Sequence, residues 1–316
     1  MDYSFKDFLR PLYYFIQDAF DYKGKKRLRK NINLYNRHLK ERGFLFCTGE
    51  SIRHIDIELL TNEYTFGVNL FFLHEKIKKI NLSYYVYLDN KLFDGMVQWP
   101  VNLLGPQGSS PMRKMYEELN NRVPSETELI LNSECYNYSD NLFKNRKIFF
   151  FKASKALNLN NKSPYKSHLD FTKKRIPGGG SVYFAILIMI YMGFKKIYLC
   201  GAGYTYSPEY IFHFYDNIIV PKNLDEKNAI YSIKKELNKR NKISGGTLEY
   251  YGLEEDKEYY RGIIVTRKNN NNLSHYEYHK KLKEYAESQG VEIINVIPDK
   301  FESPVYQSVS FNEIQL

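Results

Sequence analysis

The chain has 316 residues, of which 43% are hydrophobic, so it is long and apolar enough for one large α/β domain with an insertion or for two small domains. Disorder is therefore excluded as the default, and the formal net charge of +10 predicts a polyanionic partner such as a nucleic acid, an anionic membrane, or phosphorylated and carboxylated sugars. No signal peptide is recognised, and the longest apolar run, residues 182–192, is about half as long as a bilayer span, which predicts a core helix.

The N-terminal segment, residues 1–43, has the three-to-four spacing of apolar residues that is typical of an amphipathic helix, with a kink expected at Pro11. A basic block, KGKKRLRK, covers residues 23–30. Large apolar side chains beside Lys and Arg are typical of an interfacial helix on an anionic membrane. The alternative is a helix that packs on the surface of its own domain.

From Phe44 onward, strand-like and helix-like patterns alternate. Strands are predicted at 44–47, 64–69, 84–90, 128–131 and 147–151, and helices at 52–60 and 71–79. Such alternation predicts parallel βαβ units. The expected fold class is therefore α/β and Rossmann-like, with a mainly parallel sheet and helices on both faces.

The clearest pattern lies in residues 176–206, where three glycines precede an apolar helix, Gly193 ends it, and the buried strand IYLCG follows. Residues 207–274 are polar and tyrosine-rich, with a helix-like stretch near 226–240. A helix at 275–290, a last core strand at 291–298 and an extended tail complete the chain. The expected organisation is a basic helical segment (1–43), a nucleotide-binding domain (44–206), a lid or acceptor insertion (207–274), and a final helix–strand unit with its tail (275–316).

The three cysteines indicate neither a disulfide framework nor a metal site. Cys47, Cys135 and Cys200 are far apart, and no CxxC or Cys/His metal spacing surrounds them. Their apolar neighbours predict buried, reduced thiols, in agreement with a cytosolic address.

Polar residues follow three successive predicted strands. Ligands bind at the carboxyl ends of the strands in open parallel sheets, and the amide of Asn suits a nucleobase or ribose edge. A single strand-ending Asn is structural more often than not, but three successive strand ends together predict a nucleotide site. The candidate residues are Thr48, Gly49 and Ser51 in the first turn, Asn69 after the second strand, and Asp89 and Asn90 after the third.

A second candidate site precedes the apolar helix, where Gly179, Gly180 and Ser181 follow a run of three basic residues. Glycines allow a phosphate to approach the backbone, and a helix N-terminus favours an anion. The segment matches neither the Walker motif nor the dinucleotide GxGxxG pattern. The alternative is a tight turn that permits close packing.

No DxD motif lies in a suitable loop, so no metal and no cofactor is expected. A metal-free transfer needs cationic or hydroxyl donors to stabilise the departing phosphate, and Tyr206 and Tyr210 lie just past the IYLCG strand. His275 begins the predicted helix 275–290, where an imidazole with an unperturbed pKa of about 6.5 could accept a hydroxyl proton. His213 is the competing candidate base.

Two sequence blocks carry a resemblance to a known family. FLFCTGESIRHIDIELLTNEYTFGVNLFFL and GGGSVYFAILIMIYMGFKKIYLCGAGYTY resemble bacterial lipo-oligosaccharide sialyltransferases, and the second block also resembles the motility-accessory-factor glycosyltransferases. The final helix with VEIINVIP resembles the last helix–strand unit of that family, so the resemblance covers roughly 44–100 and 175–300.

The resemblance implies a role for each candidate residue. Thr48 and Gly49 fall on the donor-binding turn, Asn69 on the second-strand Asn, and Asp89 or Asn90 on the third; Ser181 falls on a helix-start Ser, Tyr206 and Tyr210 approximate phosphate-binding tyrosines, and His275 lies within about two residues of the catalytic base. The chain departs from the family where Thr-Gly-Glu-Ser replaces the usual Asn-Gly-Pro-Ser and where GAGYTY lacks an acidic residue. These departures bear on which sugar is used more than on the fold.

The leading hypothesis is a metal-independent inverting glycosyltransferase that moves a CMP-activated acidic sugar (sialic acid-like, nonulosonic or Kdo-like) to an oligosaccharide or glycolipid of the bacterial surface. It would be cytoplasmic and peripheral on the anionic inner face of the cell membrane, with a homo-oligomer left open. The alternatives are a Mg²⁺-dependent pterin pyrophosphokinase-like enzyme, which looks similar over the GGSV block, and a non-enzymatic basic protein that binds membrane or nucleic acid. No RRM, KH or helix-turn-helix signature is present, so no nucleic-acid partner is expected.

Overall fold

The computed structural model describes residues 21–87, 111–133, 143–154, 169–172, 176–177, 180–202, 246–253, 260–267, 275–297 and 305–315. The strands, in chain order, are β1 (Arg42–Phe46), β2 (Tyr64–Val68), β3 (Tyr84–Tyr87), β4 (Glu128–Asn132), β5 (Ile148–Phe151), β6 (Ala153–Ser154), β7 (Ile176–Pro177), β8 (Lys196–Cys200), β9 (Gly246–Leu253), β10 (Tyr260–Arg267), β11 (Glu292–Ile297) and β12 (Gln307–Ser310). The helices are α1 (Tyr22–Arg29), α2 (Pro111–Arg122), α3 (Ser181–Tyr191) and α4 (His275–Ser288).

Eight of these strands form one open sheet in the order β12-β11-β8-β1-β2-β3-β4-β5, and all its strand pairs are parallel. The predicted strands at 44–47, 64–69, 84–90, 128–131 and 147–151 are confirmed as β1 to β5. They were recognisable because central strands of a parallel sheet are buried on both faces and therefore have nearly continuous apolar sequences. The Rossmann-like α/β prediction is confirmed.

Each face of the sheet has its own layer. On one face, α3 and α4 pack over residues such as Leu45, Val68 and Leu199. On the other face, α2 packs together with short 3₁₀ turns, and Phe46 and Tyr85 point toward this layer. Both halves of the core are therefore closed to water, and the ends of the strands are left as the accessible edges. No helix in the described part of the chain is long and apolar enough to cross a bilayer.

The two helices predicted after β1 and β2 are wrong. The chain forms 3₁₀ turns there, at Glu50–His54, Ile57–Leu60 and Phe71–Leu73. Ile52 and Ile55 are both buried, as are Ile57 and Leu60, and this three-two-three spacing does not follow one face of an α-helix. Burial of these apolar side chains against the sheet therefore overrides the local helical pattern.

The N-terminal segment packs on its own domain from residue 21 onward, which is the second of the two alternatives above. Helix α1 buries Gly24 and Leu28 and lies against the edge strand β5. Asp21 Oδ1 accepts a hydrogen bond from the Gly24 N–H at 2.7 Å, and Asp21 Oδ2 forms an ion pair with Lys152 Nζ at 2.7 Å. This contact ties the start of α1 to the carboxyl end of β5. The rest of the predicted amphipathic segment, residues 1–20, lies outside the described residues.

The C-terminal tail contributes a strand to the sheet, in addition to the extended segment that was predicted. Strand β12 pairs in parallel with β11 and forms the eighth strand, and Ser310 and Glu313 then form a reciprocal capping box on a short 3₁₀ turn. Within the predicted insertion, β9 and β10 form an antiparallel pair, and β10 contacts α4. The helix-like stretch 226–240 lies outside the described residues.

Candidate functional site

The sheet reverses its winding direction at β1. From β1 the chain moves outward through β2 to β5 and then returns to β8, on the other side of β1. Beyond the last paired residues, the Cys47 N–H donates to Cys200 O at 2.7 Å and the Gly49 N–H donates to Gly201 O at 2.8 Å. Open α/β sheets bind ligands in the crevice at such a switch point, outside the carboxyl ends of the strands.

The turn after β8 depends on glycine. Gly201 has a φ of +78°, and a Cβ there would lie 2.9 Å from Ile52 Cβ and 3.0 Å from Cys47 O. Any larger residue would therefore clash with the turn that follows β1. The two strand ends approach as closely as the backbone permits, and they form a fixed floor for the crevice.

The turn after β1 differs in one respect from its prediction. Thr48 is buried and Ser51 is half-buried, but the Gly49 N–H is engaged by Gly201 O rather than exposed to a ligand. Gly49 also has an ordinary extended backbone, with φ −67° and ψ 151°. The glycine therefore serves the close approach of β1 and β8, and the five-residue 3₁₀ turn after it is too short for a useful helix dipole.

Asn69, directly after β2, is held in an unusual conformation. Its φ is +52°, in the left-handed region that Asn tolerates better than most residues. The buried Tyr85 hydroxyl donates to Asn69 O at 2.7 Å and accepts from the Phe72 N–H at 2.8 Å, so it pins the turn from β3. The Asn69 side-chain Oδ1 is buried and has no hydrogen-bond partner within the described residues. A buried acceptor without a donor costs about 1–3 kcal/mol, which a ligand N–H or O–H could recover.

Thr48 and Asn69 lie at the same height on neighbouring strands. Phe46 pairs with Gly67, and each of the two site residues lies two positions further along its strand. Adjacent strands are about 4.8 Å apart, so one small polar ligand group can reach both positions.

The N-terminus of α3 lies at the same edge. Only a short turn, residues 192–195, separates α3 from β8, so the helix runs antiparallel to β8 and begins where β8 ends. Gly180, with a φ of +106°, precedes the first helical residue, Ser181, and the first turn contains no acidic residue. The free N–H groups of this eleven-residue helix therefore favour an anion at the carboxyl edge.

His275 is placed at this edge by the same argument, because it begins α4 and a short turn joins α4 to β11. The topology therefore places Thr48, Asn69, Ser181 and His275 at the same edge of the sheet. The other candidates, Asp89, Asn90, Gly179, Tyr206, Tyr210 and His213, lie outside the described residues.

Two residues at the carboxyl edge were missed. Asn132 ends β4 and is buried, and it carries the strand-ending Asn signal that pointed to Asn69. Lys152 follows β5 and holds Asp21. The first could have been found from sequence, whereas nothing in the sequence indicated that the second forms an ion pair 131 residues away.

The buried His279 joins α4 to the C-terminal tail by a polar contact and to α3 by a ring contact. His279, one turn after His275, places Nδ1 2.7 Å from the Tyr306 hydroxyl. The Tyr183 ring, in the first turn of α3, lies with its centroid 6.2 Å from that of His279 and nearly perpendicular to it. All three residues are buried, so this contact fixes the starts of both helices relative to the tail.

The cysteines beneath the crevice are not suited to nucleophilic chemistry. Cys47 and Cys200 are free and wholly buried, as predicted, and burial raises the pKa of both thiols well above the usual range. Cys135 lies outside the described residues. Within the described ranges, no group of three His, Cys, Asp or Glu side chains is arranged to hold a metal ion.

A cavity of about 100 Å³ lies at the opposite edge of the sheet, between the C-terminal ends of α3 and α4. Its walls include Tyr35, Tyr191 and Tyr285, with Lys195 donating to Gln289 O at 2.7 Å. Helix C-termini carry partial negative charge, so this cavity disfavours the phosphates of a nucleotide. The candidate nucleotide site is therefore the carboxyl edge.

No protein-family model matches the sequence, and no curated protein matches it significantly. The structure is similar to the sialyltransferase CstII from Campylobacter jejuni in complex with the substrate analogue cytidine-5'-monophosphate, at 12% identity over 86% of each chain and a TM-score of 0.40. It is also similar to the monofunctional alpha-2,3-sialyltransferase Cst-I from the same organism, at 14% identity over 88% of this chain and 83% of that chain, with a TM-score of 0.42. These are likenesses of fold.

Proposed function

We propose that this protein is a metal-independent inverting glycosyltransferase that moves a CMP-activated acidic sugar to an oligosaccharide or glycolipid acceptor. The observation that carries the proposal is the buried, unfilled Oδ1 of Asn69 at the switch point, level with Thr48 and at the same edge as the N-terminus of α3. An acceptor for a base or ribose donor and a helix N-terminus for a phosphate are the two parts that a nucleotide site needs.

In the proposed reaction, the acceptor oxygen attacks the anomeric carbon of the sugar while the bond from that carbon to the phosphate oxygen of CMP breaks. His275 takes the proton of the attacking hydroxyl, and the anomeric configuration inverts. The hydroxyls of Tyr206 and Tyr210 donate to the departing phosphate, whose charge grows as the bond breaks. An imidazole base suits an acidic sugar, because a carboxylate base would add a second negative charge beside the sugar's own.

The basic N-terminal segment supports a peripheral location on the anionic inner face of the cell membrane, where a glycolipid or growing surface glycan is accessible. This location and the nature of the sugar, whether sialic acid-like, nonulosonic or Kdo-like, are parts of the same proposal.

The test is release of CMP from a panel of CMP-sugars, measured with and without an acceptor and in the presence of EDTA. We expect acceptor-dependent release that EDTA leaves intact, with product of inverted anomeric configuration by NMR. Complete loss of release in EDTA, or consumption of ATP with a pterin acceptor, would refute the proposal.

A further inference from the structure

Exposed apolar side chains are concentrated in one part of the described surface. Of six large hydrophobic residues that are exposed there, four fall within residues 22–40, which we call the 22–40 surface. They are Tyr22, Ile32, Tyr35 and Leu39, with exposed fractions of 77%, 58%, 41% and 58%. Scattered exposed apolar residues are normal, but a cluster on one surface indicates contact with an apolar partner.

The same residues carry most of the protein's excess charge. Residues 22–40 contain eight Lys and Arg and no Asp or Glu, against a net charge of +10 for the whole chain. Lys23, Lys26 and Arg29 are exposed on the side of α1 that faces away from the buried Gly24 and Leu28, and the exposed Lys30 follows the helix directly. Apolar and cationic side chains are therefore both exposed along the same segment of the chain.

The 22–40 surface runs along the β5 side of the sheet, from the carboxyl end of β5, where Asp21 pairs with Lys152, to the amino edge. Helix α1 lies against β5. Further along, the Asn36 N–H donates to Tyr191 O at the C-terminus of α3, and the Lys40 N–H donates to Gly193 O just before β8. Tyr35 and Leu39 therefore lie at the edge where the strands begin, opposite the candidate nucleotide site.

We infer that the 22–40 surface docks on an anionic phospholipid bilayer, with the β5 side of the sheet toward the lipid and the switch point at β1 turned away from it. Lys and Arg near an anionic leaflet attract its headgroups, and amphipathic Tyr with exposed Ile and Leu enters the headgroup and acyl boundary. A nucleic acid would match the positive charge, but its phosphate backbone offers no apolar surface against which Ile32 and Leu39 could be buried.

This orientation has a consequence for the acceptor, and that consequence rests on the proposed function. Four strand spacings, about 19 Å, separate the switch point at β1 from the β5 side of the sheet. The transfer site would then face away from the lipid headgroups. It would reach the outer sugars of a lipid-linked glycan, or a soluble acceptor, in preference to a sugar attached directly to lipid.

The first test measures co-sedimentation of the full chain with vesicles of phosphatidylcholine, alone or with about one-third phosphatidylglycerol. We expect binding to the anionic vesicles only. The triple variant Lys23→Glu/Lys26→Glu/Lys30→Glu should weaken it by more than about tenfold, and Ile32→Ser/Leu39→Ser by several-fold. Lys78→Glu/Lys79→Glu, on an exposed loop elsewhere, is the control for charge reversal outside the 22–40 surface and should bind normally.

The second test reads the orientation. In a Cys135→Ser background, an environment-sensitive fluorophore is attached at Leu39→Cys or at Gln307→Cys, an exposed position on β12 at the side of the sheet farthest from β5. Anionic vesicles should shift the emission of the first probe to the blue and leave the second unchanged. The opposite pattern would overturn the orientation.

The melting temperature and the CMP affinity are measured for every variant. The first shows whether the variant is folded, and the second tests the proposed transferase independently of membrane docking. Unchanged vesicle binding by both multiple variants would overturn the inference even if CMP binds. Loss of RNA binding by the triple variant, with no vesicle binding by the unaltered protein, would assign the surface to nucleic acid instead.

Discussion

Asn69 combines a strained backbone with an unfilled acceptor, and the two properties can be separated by substitution. Glycine adopts a positive φ without penalty, so Asn69→Gly removes the carboxamide while the turn held by Tyr85 remains. We predict that Asn69→Gly lowers CMP affinity by about threefold to tenfold, the effect of one hydrogen bond. Isothermal titration calorimetry would measure it.

Asn36 provides the matched control for that experiment. It has nearly the same φ, +53°, but lies at the opposite edge of the sheet. Asn36→Gly should leave CMP affinity unchanged while it alters the unfolded chain in the same way. Equal affinity losses in the two variants, or none in either, would remove Asn69 from the nucleotide site.

Two buried histidines make the fold sensitive to acid. His38 Nε2 lies 2.7 Å from the Tyr84 hydroxyl, and its ring stacks on Phe194 at 4.8 Å. Burial lowers the pKa of His38 to about 4, and it does the same for His74. Folding therefore favours the neutral form of both imidazoles. Their contribution to the free energy of unfolding is fully present above the unfolded-state pKa of about 6.5, and it is lost as the pH falls toward 4.

We predict that the free energy of unfolding, measured in urea at pH 7, 5.5 and 4.5, falls through this window. His38→Phe should lower it at pH 7 and make its decline with acid shallower, because one titrating group is gone. Tyr84→Phe removes the same hydrogen bond but keeps the imidazole, so its decline should stay as steep as in the unaltered protein. Identical pH dependence in all three proteins would exclude His38 as a source of the effect.

Between helices, the contact of His279 with Tyr306 links α4 to the C-terminal tail, and Tyr183 links it to α3. If His275 is the base, this contact positions it from one turn away. Tyr306→Phe should then lower kcat by several-fold with little change in KM for the donor, and should destabilise the fold by about 1 kcal/mol.

Tyr285→Phe is the control, because it makes the same change in a buried tyrosine of α4 near the helix's other end. It should leave kcat unaltered. A fall in melting temperature without a fall in kcat for Tyr306→Phe would limit the His279 contact to a structural role.

The contact between His279 and Tyr306 could not be predicted from sequence, because the sequence shows both residues but not that the tyrosine, 27 residues later, contacts the histidine.

The elements that sequence predicted well are those whose burial is uniform. Helix α3 is buried along almost its whole length and is bounded by glycines with positive φ, so its sequence alone indicated both ends. The segments after β1 and β2 are buried at irregular intervals, and only the sheet beneath them decides which turns they form. Strand β12 has a half-buried, polar sequence, QSVS, and it exists because β11 offers an open edge.

At the scale of the whole molecule, segments near the two ends of the chain lie along the two edges of the sheet. Unpaired strand edges favour aggregation, so this placement bears on solubility. On one side the edge strand is β12, which is short and largely polar. On the other side, the buried Asn31 donates from Nδ2 to Phe150 O and to Phe171 O, each at 2.8 Å, and so occupies a carbonyl of the edge strand β5. The N-terminal segment therefore protects β5 as well as carrying the basic surface.

Asn31→Ala should consequently affect the whole fold. It leaves two carbonyl groups without their donor, which we expect to lower the free energy of unfolding in urea by about 2–4 kcal/mol. Because the β5 edge is then less well held, light scattering at moderate temperature should also rise sooner. Asn33→Ala, two residues away and exposed, should change stability by less than about 0.5 kcal/mol. If the two variants are equally stable and equally soluble, the cover over β5 does not depend on Asn31, and the apolar contact of Leu28 must hold it instead.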